Sequence, residues 1–597
     1  MNASPAHLRF SHAEPSRAIG WFAYFLVLHA VVWLNMPCGT FYSPDEGGKY
    51  LQLLGMGSHP LQSCQLVYPG LEKDPAMFYY PSRAELAVCS TRIYPYADAQ
   101  GRVRTNWPPW FPFATQPFLA LLGFRGFYLV PFLAGCLALW MTGGLAAAVA
   151  PRARLLALAA FALSSPLLFY GLTFWEHTPA LALQLAALWC VGPWSSPREG
   201  GGGFRAVRPV AAGLLLLGAI ALRREALFFA VALGCAYVLQ NGKSWLRLWT
   251  RRKRLALGLA SAAVLSLLAA GPWLLPGRTG MDLWMVLHRV ADPGTWLFLP
   301  THFFDVFFLR NEGSPLPIVL RWIGQVGLLI CLGNAFWPRA RRPGGFLAGF
   351  LLVMPCALFM AFTPIRYRAF NSLVLSAPFV LFALMPSAPD GDRPAGERFL
   401  RTVAGLFALL FLFATLPAHR GHGGLEWGSR YALILICMLS ALGAASVWRG
   451  WASVSGRGWM RAGLGLLVAL SLWTGLASMV RGVRELVATR RNLGGIQDAL
   501  LAQPAPIVTD CWWMAASLTD LYARRELYTI AAPEELRGWL DTVGRDVSSF
   551  VYASYEPLPA AVRFREKDRL ESAGREIVCG MGIETYRVLS ASERMRP

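Results

Sequence analysis

Residues 126–149 read GFYLVPFLAGCLALWMTGGLAAAV, an apolar run without an acidic or basic side chain. A helix that crosses the hydrocarbon core of a bilayer needs about 17–25 predominantly apolar residues. The run is long enough for one crossing, so it predicts a transmembrane helix. Because comparable runs recur along the chain, the sequence predicts an α-helical polytopic membrane protein.

The other apolar runs differ in regularity. The clearest lie at 20–36, 255–275, 318–337, 344–363, 399–416, 431–448 and 462–480, and less regular ones lie at 155–174, 177–194, 209–222, 225–240 and 370–386. With 126–149 they predict about thirteen crossings. The first run resembles a signal peptide because Arg9 and Arg17 precede it, but no small-x-small cleavage site follows, so we interpret it as a retained helix.

The composition agrees with a membrane protein. Hydrophobic residues make up 55% of the 597 residues and charged residues 15%, against about 25% charged in a typical soluble domain. The formal net charge is +21, which on a soluble protein would favour nucleic acid as a partner. On an apolar chain the same excess also sets the orientation of the helices, so its position along the chain decides between the two interpretations.

The basic residues concentrate in the segments that alternate crossings would leave on one side. The N-terminus and the short loops near 150–154, 196–208, 241–254, 338–343, 388–401 and 449–461 hold 22 Lys and Arg against five acidic residues. Both long segments on the other side are neutral. By the positive-inside rule we predict a multi-pass protein of the cell (inner) membrane, with a cytoplasmic N-terminus, an extracytoplasmic C-terminus and no nucleic-acid partner.

These assignments predict four regions. They are a cytoplasmic N-terminus with the first crossing, 1–36; a first extracytoplasmic loop with surface helices, 37–122; a helix bundle, 123–480; and a small extracytoplasmic α/β domain, 481–597. In the last region, β-branched and aromatic residues predict strands at 506–509, 527–530, 548–552 and 584–589. Helical periodicity predicts helices at 511–524 and 533–543. This domain either helps to bind an acceptor or braces the outer loops.

Five of the eleven cysteines lie outside the predicted crossings. An oxidising outer compartment would permit candidate disulfides between Cys64 and Cys89 and between Cys511 and Cys579. The chain has neither a Cys-x-x-Cys nor a His-Glu-x-x-His zinc pattern. Oxygen atoms of Asp45, Glu46 and Glu176 remain a conceivable metal site, but we predict no metal and no cofactor.

The segment with the most distinctive chemistry follows the first crossing directly and reads Ser43-Pro44-Asp45-Glu46-Gly47-Gly48-Lys49-Tyr50. Two adjacent carboxylates at a membrane edge, beside glycines and a lysine, could place a base near an anionic lipid headgroup. The alternative is structural, because acidic residues in the first turn stabilise a helix N-terminus.

Other ionisable residues lie at helix turns that the predicted topology places on the same outer side. They are Trp175-Glu176-His177, Arg223-Arg224-Glu225, Arg366-Tyr367-Arg368 and Glu426-Trp427-Gly428-Ser429-Arg430-Tyr431. Each alone is compatible with a solvated anchor or an internal ion pair. Together they favour a functional site, since ionisable groups at membrane depth are costly unless paired or used.

On these residues the chain resembles the membrane glycosyltransferases of the GT-C fold, specifically the protein O-mannosyltransferase and aminoarabinose-transferase-like group. The features that carry the resemblance are the acidic pair, Trp175-Glu176-His177, Arg223-Arg224-Glu225, Gly424 to Tyr431, and the outer α/β domain. The resemblance implies transfer of a sugar from a polyprenyl-phosphate carrier to a lipid, glycan or protein acceptor, with inversion at the anomeric carbon.

The resemblance also implies roles for individual residues. Asp45 becomes the catalytic base, with Glu46 as its neighbour or alternate. Fixed cations would stabilise the phosphate leaving group, and arginine suits bidentate phosphate contact. The candidates for that role are Lys49, Arg223, Arg224, Arg366, Arg368 and Arg430, and the candidates for an acceptor or pocket role are Glu176, His177, Glu225 and Glu426.

The chain departs from one branch of this fold. The Trp-Trp-Asp-Tyr-Gly sequence of the oligosaccharyltransferases is missing, and Cys511-Trp512-Trp513-Met514 is no substitute for it, which disfavours asparagine glycosylation. Two other functions remain open. One is a polymerase or ligase that uses a pyrophosphate-linked glycan, and the other is a transporter or lipid flippase, for which we find no two-half repeat.

Overall fold

We describe a computed structural model of the chain. It describes residues 13–56, 108–195, 204–247, 291–308, 316–336, 343–363, 372–386, 393–415, 430–454, 458–518, 521–560 and 569–589, with short pieces between 65 and 104 and at 562 and 566.

The bundle and the loop before it contain sixteen α-helices within these residues. They are α1 Ala13–Leu34, α2 Pro44–Met56, α3 Trp110–Leu122, α4 Gly126–Val149, α5 Arg154–Leu163, α6 Leu167–Gly171, α7 His177–Val191, α8 Phe204–Leu222, α9 Ala226–Arg247, α10 Pro293–Phe307, α11 Ile318–Phe336, α12 Pro343–Phe362, α13 Leu373–Ser376, α14 Ala395–Thr415, α15 Leu433–Ser453 and α16 Gly458–Ala502.

Most of the apolar runs form helices, and α4 coincides with the run at 126–149. Two runs are interrupted. Ser164-Ser165-Pro166 divides the third predicted crossing into α5 and α6, because proline cannot donate into a helix and disfavours helical conformation before it. The run at 370–386 forms the short α13 and a 3-10 helix, Pro378–Leu384. The run at 255–275 lies outside the described residues.

Six helical stretches within the described residues are long and apolar enough to cross a membrane. Each begins or ends near a predicted crossing, and the α15 stretch is largely buried among the other helices. The chain is therefore a mostly helical membrane protein. The number of thirteen crossings stays a prediction.

The last helix of the bundle continues far beyond its apolar part. Helix α16 has 45 residues, which at about 1.5 Å per residue makes it about 68 Å long, roughly twice the hydrocarbon thickness. It runs without a break across residue 481, where we expected the bundle to end. Its C-terminal part packs into the apolar core of the following domain through Leu493, Ile496 and Leu500. One rigid element thus connects the two regions.

The C-terminal domain is a small α/β unit. Five strands, β4 Ile507–Thr509, β5 Leu527–Thr529, β6 Ser549–Ser554, β7 Leu570–Val578 and β8 Met581–Val588, form a sheet in the order β5-β4-β6-β8-β7, and the first three are parallel. The helices are α17 Trp512–Ser517, α18 Leu521–Arg524 and α19 Leu536–Asp541. Each predicted strand is present. Strand β7 is not predicted from the sequence, because its exposed face carries charged residues instead of an apolar alternation.

A smaller sheet lies in the first loop. Its strands β1 Gln65–Val67, β2 Tyr96–Ala97 and β3 Arg102–Arg104 are antiparallel, with β3 in the centre.

Helix α2 packs against α17 through a glycine. A Cβ atom added at Gly47 would lie 1.5 Å from the carbonyl oxygen of Ala516, which is far closer than two non-bonded atoms can approach. Beside it, the Phe41 amide donates to the Ser517 carbonyl at 3.0 Å. Glycine therefore permits the backbones of α2 and α17 to meet.

Replacing Gly47 with alanine should destabilise the protein by about 1–3 kcal/mol or more, because the added methyl forces α2 away from α17. The matched control is Gly494→Ala on α16, where the added methyl meets nothing within 4 Å and alanine is the better helix former. We expect thermal unfolding in detergent to show a lower Tm for the first variant alone. Equal Tm values for the two variants would contradict this packing.

Candidate active site

The first turn of α2 fixes the acidic pair. Pro44 is its first residue, and the Ser43-x-x-Glu46 spacing matches a capping box, in which a glutamate side chain reaches back to the amide of the cap residue. Glu46 Oε2 accepts hydrogen bonds from the backbone amides of Ser43, at 3.1 Å, and Tyr42, at 2.7 Å. Glu46 therefore stabilises the N-terminus of α2, which is the structural role that the sequence allowed for the acidic pair.

The second carboxylate oxygen of Glu46 connects two more elements. Oε1 accepts from the Phe174 amide at 2.5 Å, in the turn before α7, and lies 3.5 Å from Nη2 of Arg490 on α16. The side chains of Glu46 and Arg490 are both fully buried. Burial raises the pKa of Glu46, and Arg490 with the three amide donors opposes that rise.

Glu46 is therefore poorly placed as an alternate base. Its two oxygens are occupied by backbone and arginine donors, and the side chain has no exposed surface from which to reach a substrate. The physical reason is the capping-box geometry, which turns the carboxylate back towards the chain that precedes α2. In this structure Glu46 joins α2, the α6–α7 turn and α16.

Asp45 is more exposed than its neighbour and has fewer hydrogen-bond donors around it. Its side chain is 23% exposed, and its Oδ2 lies 3.5 Å from Nη1 of Arg430, at the start of the turn that precedes α15. This distance is long for a charge-assisted hydrogen bond, which is normally about 2.7–2.9 Å. The carboxylate is thus held beside a cation while it keeps access to the surface.

A chain of ion pairs lies on the same side of α2, one turn further along. Lys49 Nζ is 2.6 Å from Glu176 Oε2, and Arg223 Nη1 is 3.0 Å from Glu176 Oε1. Arg223 Nη2 also contacts Glu225 Oε1 at 3.0 Å. The His177 ring nitrogens lie 3.0 Å from Arg223 Nη1. Three motifs that are far apart in sequence therefore meet in one cluster.

The charges in this chain hold one another in the ionised state. Burial alone would raise the pKa of Glu176, but attraction to Lys49 and Arg223 brings it below its usual value. Burial alone would lower the pKa of Arg223, but Glu225 and Glu176 raise it. Since buried charges are tolerated when they are paired and hydrogen-bonded, the cluster is a stable, nearly balanced network.

Aromatic rings surround the arginines. The Arg430 guanidinium lies over Tyr431, 4.7 Å from its ring centroid, and over Trp175, at 5.6 Å. Its Nη2 also donates to the Tyr431 hydroxyl at 2.7 Å. The Arg223 guanidinium also lies over the Tyr431 ring, 5.1 Å from its centroid. These contacts fix the guanidinium planes, and cation–π contact strengthens where water is excluded.

The remaining predicted site residues fall into two groups. Arg224 is half-buried beside Arg223, and burial lowers its pKa while Glu225 opposes that effect. Arg366, Arg368, Glu426, Cys64 and Cys89 lie outside the described residues. In the part of the chain that the structure describes, no group of three or more His, Cys, Asp and Glu side chains could hold a metal ion.

The candidate disulfide between Cys511 and Cys579 is not formed in the structure, where both cysteines are free thiols. Cys579 is exposed in the turn between β7 and β8, and its sulfur faces Gly495 of α16. Cys511 is buried behind β4, where burial and Asp510 raise the pKa of its thiol to about 12. The two cysteines thus face different surroundings, and the prediction from compartment and even count was wrong for this pair.

Two functional neighbours were missed as site residues. Tyr431 was part of a quoted motif, and its position next to Arg430 was an available signal. Arg490 gave none, since it lies in a charged stretch of α16 that reads as a solvated surface. Its partner Glu46 is 444 positions earlier in the chain, so only the fold brings them together.

No protein-family model and no curated protein matches the chain. Among solved structures it is similar to ArnT from Cupriavidus metallidurans in the apo state, with 15% identity, a TM-score of 0.46 and coverage of 95% of this chain and 98% of that chain. The same protein bound to undecaprenyl phosphate gives 14% identity, a TM-score of 0.46 and the same coverage.

The chain is also similar to the oligosaccharyltransferase of Archaeoglobus fulgidus in the apo form. This similarity has 12% identity and a TM-score of 0.42, and it covers 89% of this chain and 69% of that chain. At such identities the function has to be argued from the residues of the site.

Proposed function

We propose that the chain is an inverting glycosyltransferase that moves a sugar from a polyprenyl-phosphate-linked donor to an acceptor hydroxyl at the outer face of the membrane. The observation that supports this most is the pair of Asp45 and Arg430. It places a partly exposed carboxylate 3.5 Å from a guanidinium that aromatic rings hold in position. A base and an anion-binding group therefore lie side by side, as a displacement at a sugar phosphate requires.

The proposed reaction is a single displacement. The acceptor oxygen attacks the anomeric carbon and forms a new carbon–oxygen bond, while the bond from that carbon to the donor phosphate breaks. Asp45 takes the acceptor hydroxyl proton. The polyprenyl phosphate leaves with the bonding electron pair, and Arg430 stabilises the charge on it. No enzyme nucleophile is needed, and the leaving group is anionic without a strong acid.

The ion-pair distances suggest how the cations divide their roles. Lys49 is 3% exposed and bound to Glu176, so we assign it to positioning Glu176 and Arg223. Arg430 has the longer and weaker pairing, which leaves it more able to bind a phosphate. Arg223 pairs with both Glu176 and Glu225, so we assign it to holding these two carboxylates in position. Arg366 and Arg368 stay candidate phosphate ligands on sequence grounds, and Glu426 a candidate pocket residue.

The predicted topology gives this site its side of the membrane. The basic loops predict a cytoplasmic N-terminus, and α2 directly follows the first crossing, so Asp45 would lie at the outer edge. We keep the region boundaries at 37, 123 and 481 as part of the proposal, with α16 as the connection to the last region. The acceptor would approach from the extracytoplasmic side, where it can be a lipid, a glycan or a protein.

Donor competition tests the proposal. Purified protein in lipid nanodiscs should transfer labelled sugar from a polyprenyl monophosphate donor to envelope extracts, and an unlabelled monophosphate donor should compete. Competition by pyrophosphate-linked glycans alone would indicate a polymerase or ligase instead. Movement of the donor lipid across vesicles without glycosylation of any acceptor would indicate a transporter or flippase.

Replacing Arg430 with glutamine should lower kcat/KM for the donor by about 10²-fold, because the phosphate loses a fixed charge in the transition state. Arg430→Lys should recover part of the loss, since lysine keeps the charge and loses the planar fork. A steady-state assay with varied donor measures both variants. Tyr431→Phe serves as the control, because it removes one hydrogen bond to Arg430 and keeps the ring and the charge. Equal activity of Arg430→Gln and the wild type would exclude this role.

A further inference from the structure

The sheet of the C-terminal domain contains a point at which its strand order reverses. The chain passes from β4 through α17 and α18 to β5 on one side of β4, and then through α19 to β6 on the other side. The helices pack on opposite faces of the sheet, and β5, β4 and β6 are parallel, so β4 and β6 end at the same edge. In such sheets ligands bind in the crevice outside the carboxyl ends of the strands where the order reverses. The residues that follow β4 and β6 are therefore candidate ligand contacts.

Two aromatic rings stack at this crevice. Trp513 lies in the first turn of α17, just after β4, and Tyr555 directly follows the last residue of β6. Their ring centroids are 5.6 Å apart, and the planes of the two rings differ by 10°. Tyr555 remains 42% exposed in this contact. A surface of two nearly parallel aromatic rings is therefore accessible beside the strand ends.

The carboxylate of Asp510 lies at the end of β4 and connects the same two strands. Its Oδ2 accepts hydrogen bonds from two hydroxyl groups of β6, those of Tyr552 at 2.9 Å and Ser554 at 3.0 Å. The Ser554 hydroxyl accepts from the backbone amide of Glu556 at 3.1 Å, so this network also fixes the chain that follows β6. Asp510 Oδ1 accepts from the Cys511 thiol at 3.2 Å, and because a thiol is a weak donor, a ligand hydroxyl can compete for this oxygen. The crevice thus combines a half-buried hydrogen-bond acceptor with an aromatic surface.

Helix α17 brings the ring pair near the proposed catalytic base. Ala516 contacts Gly47 of α2, and it lies three residues after Trp513, on the same side of α17. Asp45 precedes Gly47 by two residues in the first turn of α2. One close backbone contact therefore connects the helix that carries Trp513 with the helix that carries the base. An acceptor whose hydroxyl reaches Asp45 can extend along α17 to the aromatic rings.

We propose that Trp513, Tyr555 and Asp510 bind a sugar ring of the acceptor, which is then a glycan or a glycolipid. The C–H face of a sugar ring is apolar and packs on aromatic rings, while its hydroxyl groups donate to a carboxylate. Tyrosine and tryptophan provide a large, rigid surface at a low cost in side-chain entropy. A peptide strand would need an open sheet edge, whereas β4 and β6 are each paired on both sides. The proposal rests on the proposed function, because it names the acceptor class of that reaction.

Saturation-transfer NMR with the full-length protein in detergent tests binding in the absence of any donor. One probe is the pool of oligosaccharides that mild acid releases from the cell envelope, and the other is the peptide pool from a tryptic digest of the same envelope. We expect saturation of the C–H protons of the sugar rings and no signal above background from the peptides. Signals from the peptides alone, from both pools equally or from neither pool would overturn the proposal.

Matched variants locate the site. Tyr555→Ala removes the exposed ring and should weaken oligosaccharide binding about three- to tenfold, whereas Tyr555→Phe keeps the ring and should bind almost as the wild type does. Asp510→Asn keeps the side-chain shape and should weaken binding about threefold, because a charged acceptor is lost. The control is Ile577→Ala, which truncates an exposed apolar side chain on β7, at the far edge of the same sheet. Its affinity should stay within about twofold of the wild type.

Transfer kinetics separate this site from the proposed function. Tyr555→Ala should raise the acceptor KM by the same factor as it weakens binding, with kcat and the donor KM unchanged. An equal loss of binding in Ile577→Ala, or none in Tyr555→Ala, would refute the site even if the wild type transfers sugar. A wild-type protein that binds the oligosaccharides through Tyr555 and transfers no sugar would instead refute the proposed function, and the crevice would remain a carbohydrate-binding site.

Discussion

Replacement of Asp45 with asparagine should lower the rate of sugar transfer by about 10²–10⁴-fold, the range that a positioned general base contributes. Asparagine has nearly the same shape and can still accept a hydrogen bond from Arg430, so the geometry around α2 should survive. It cannot take the proton from the acceptor hydroxyl. The loss should therefore appear in kcat at saturating donor, and donor binding should change little.

The control for this variant is Asp498→Asn, which removes one carboxylate from an exposed position on α16, away from the cluster. It should keep wild-type activity. Both variants should unfold at the wild-type Tm, which would separate a chemical role from a structural one. Transfer at the wild-type rate by the Asp45 variant would remove Asp45 from the mechanism. Loss of donor binding with unchanged turnover of bound donor would make it a binding residue instead.

The sequence predicted the elements of the fold well where apolar length decides the outcome. The run at 126–149 became α4 with the same bounds, because an uninterrupted apolar segment of that length has few alternatives to a helix. It predicted less where a proline interrupts an apolar run, as at Pro166, and where charged residues are interspersed among the apolar residues of a helix that continues beyond the membrane-spanning run. The continuation of α16 to Ala502 belongs to the second kind.

The candidate site shows the same division. Glu176, Arg223 and Arg430 could be selected from the sequence because ionisable residues at the turns of a membrane bundle need partners, and the structure gives them partners in one cluster. The sequence could not assign the partners, since every pair is formed between distant segments. For that reason the sequence predicts Lys49 as a phosphate ligand, and only the fold shows its contact with Glu176.

The two neighbouring acids of α2 differ in environment, and this difference leads to the second large effect. Glu46→Gln should destabilise the protein by about 3–5 kcal/mol, the cost of breaking a buried ion pair by removal of one partner. The side-chain NH₂ of the glutamine would replace one carboxylate oxygen and would face a backbone N–H donor that now has an acceptor. Arg490 would also lose its counter-charge. Unfolding in detergent, followed by tryptophan fluorescence, measures the loss.

Three comparisons make this result specific to the buried network. Glu534→Gln removes an exposed carboxylate from the short 3-10 helix Pro533–Glu535 in the C-terminal domain and should change stability by no more than about 0.5 kcal/mol. Combining Glu46→Gln with Arg490→Met should cost less than the two single changes together, because residues in one buried pair are coupled. A Glu46→Gln protein that keeps its stability and loses transfer would reverse the assignment. In that outcome Glu46 would act on the substrate, and the capping-box geometry would not describe the state in which the enzyme works.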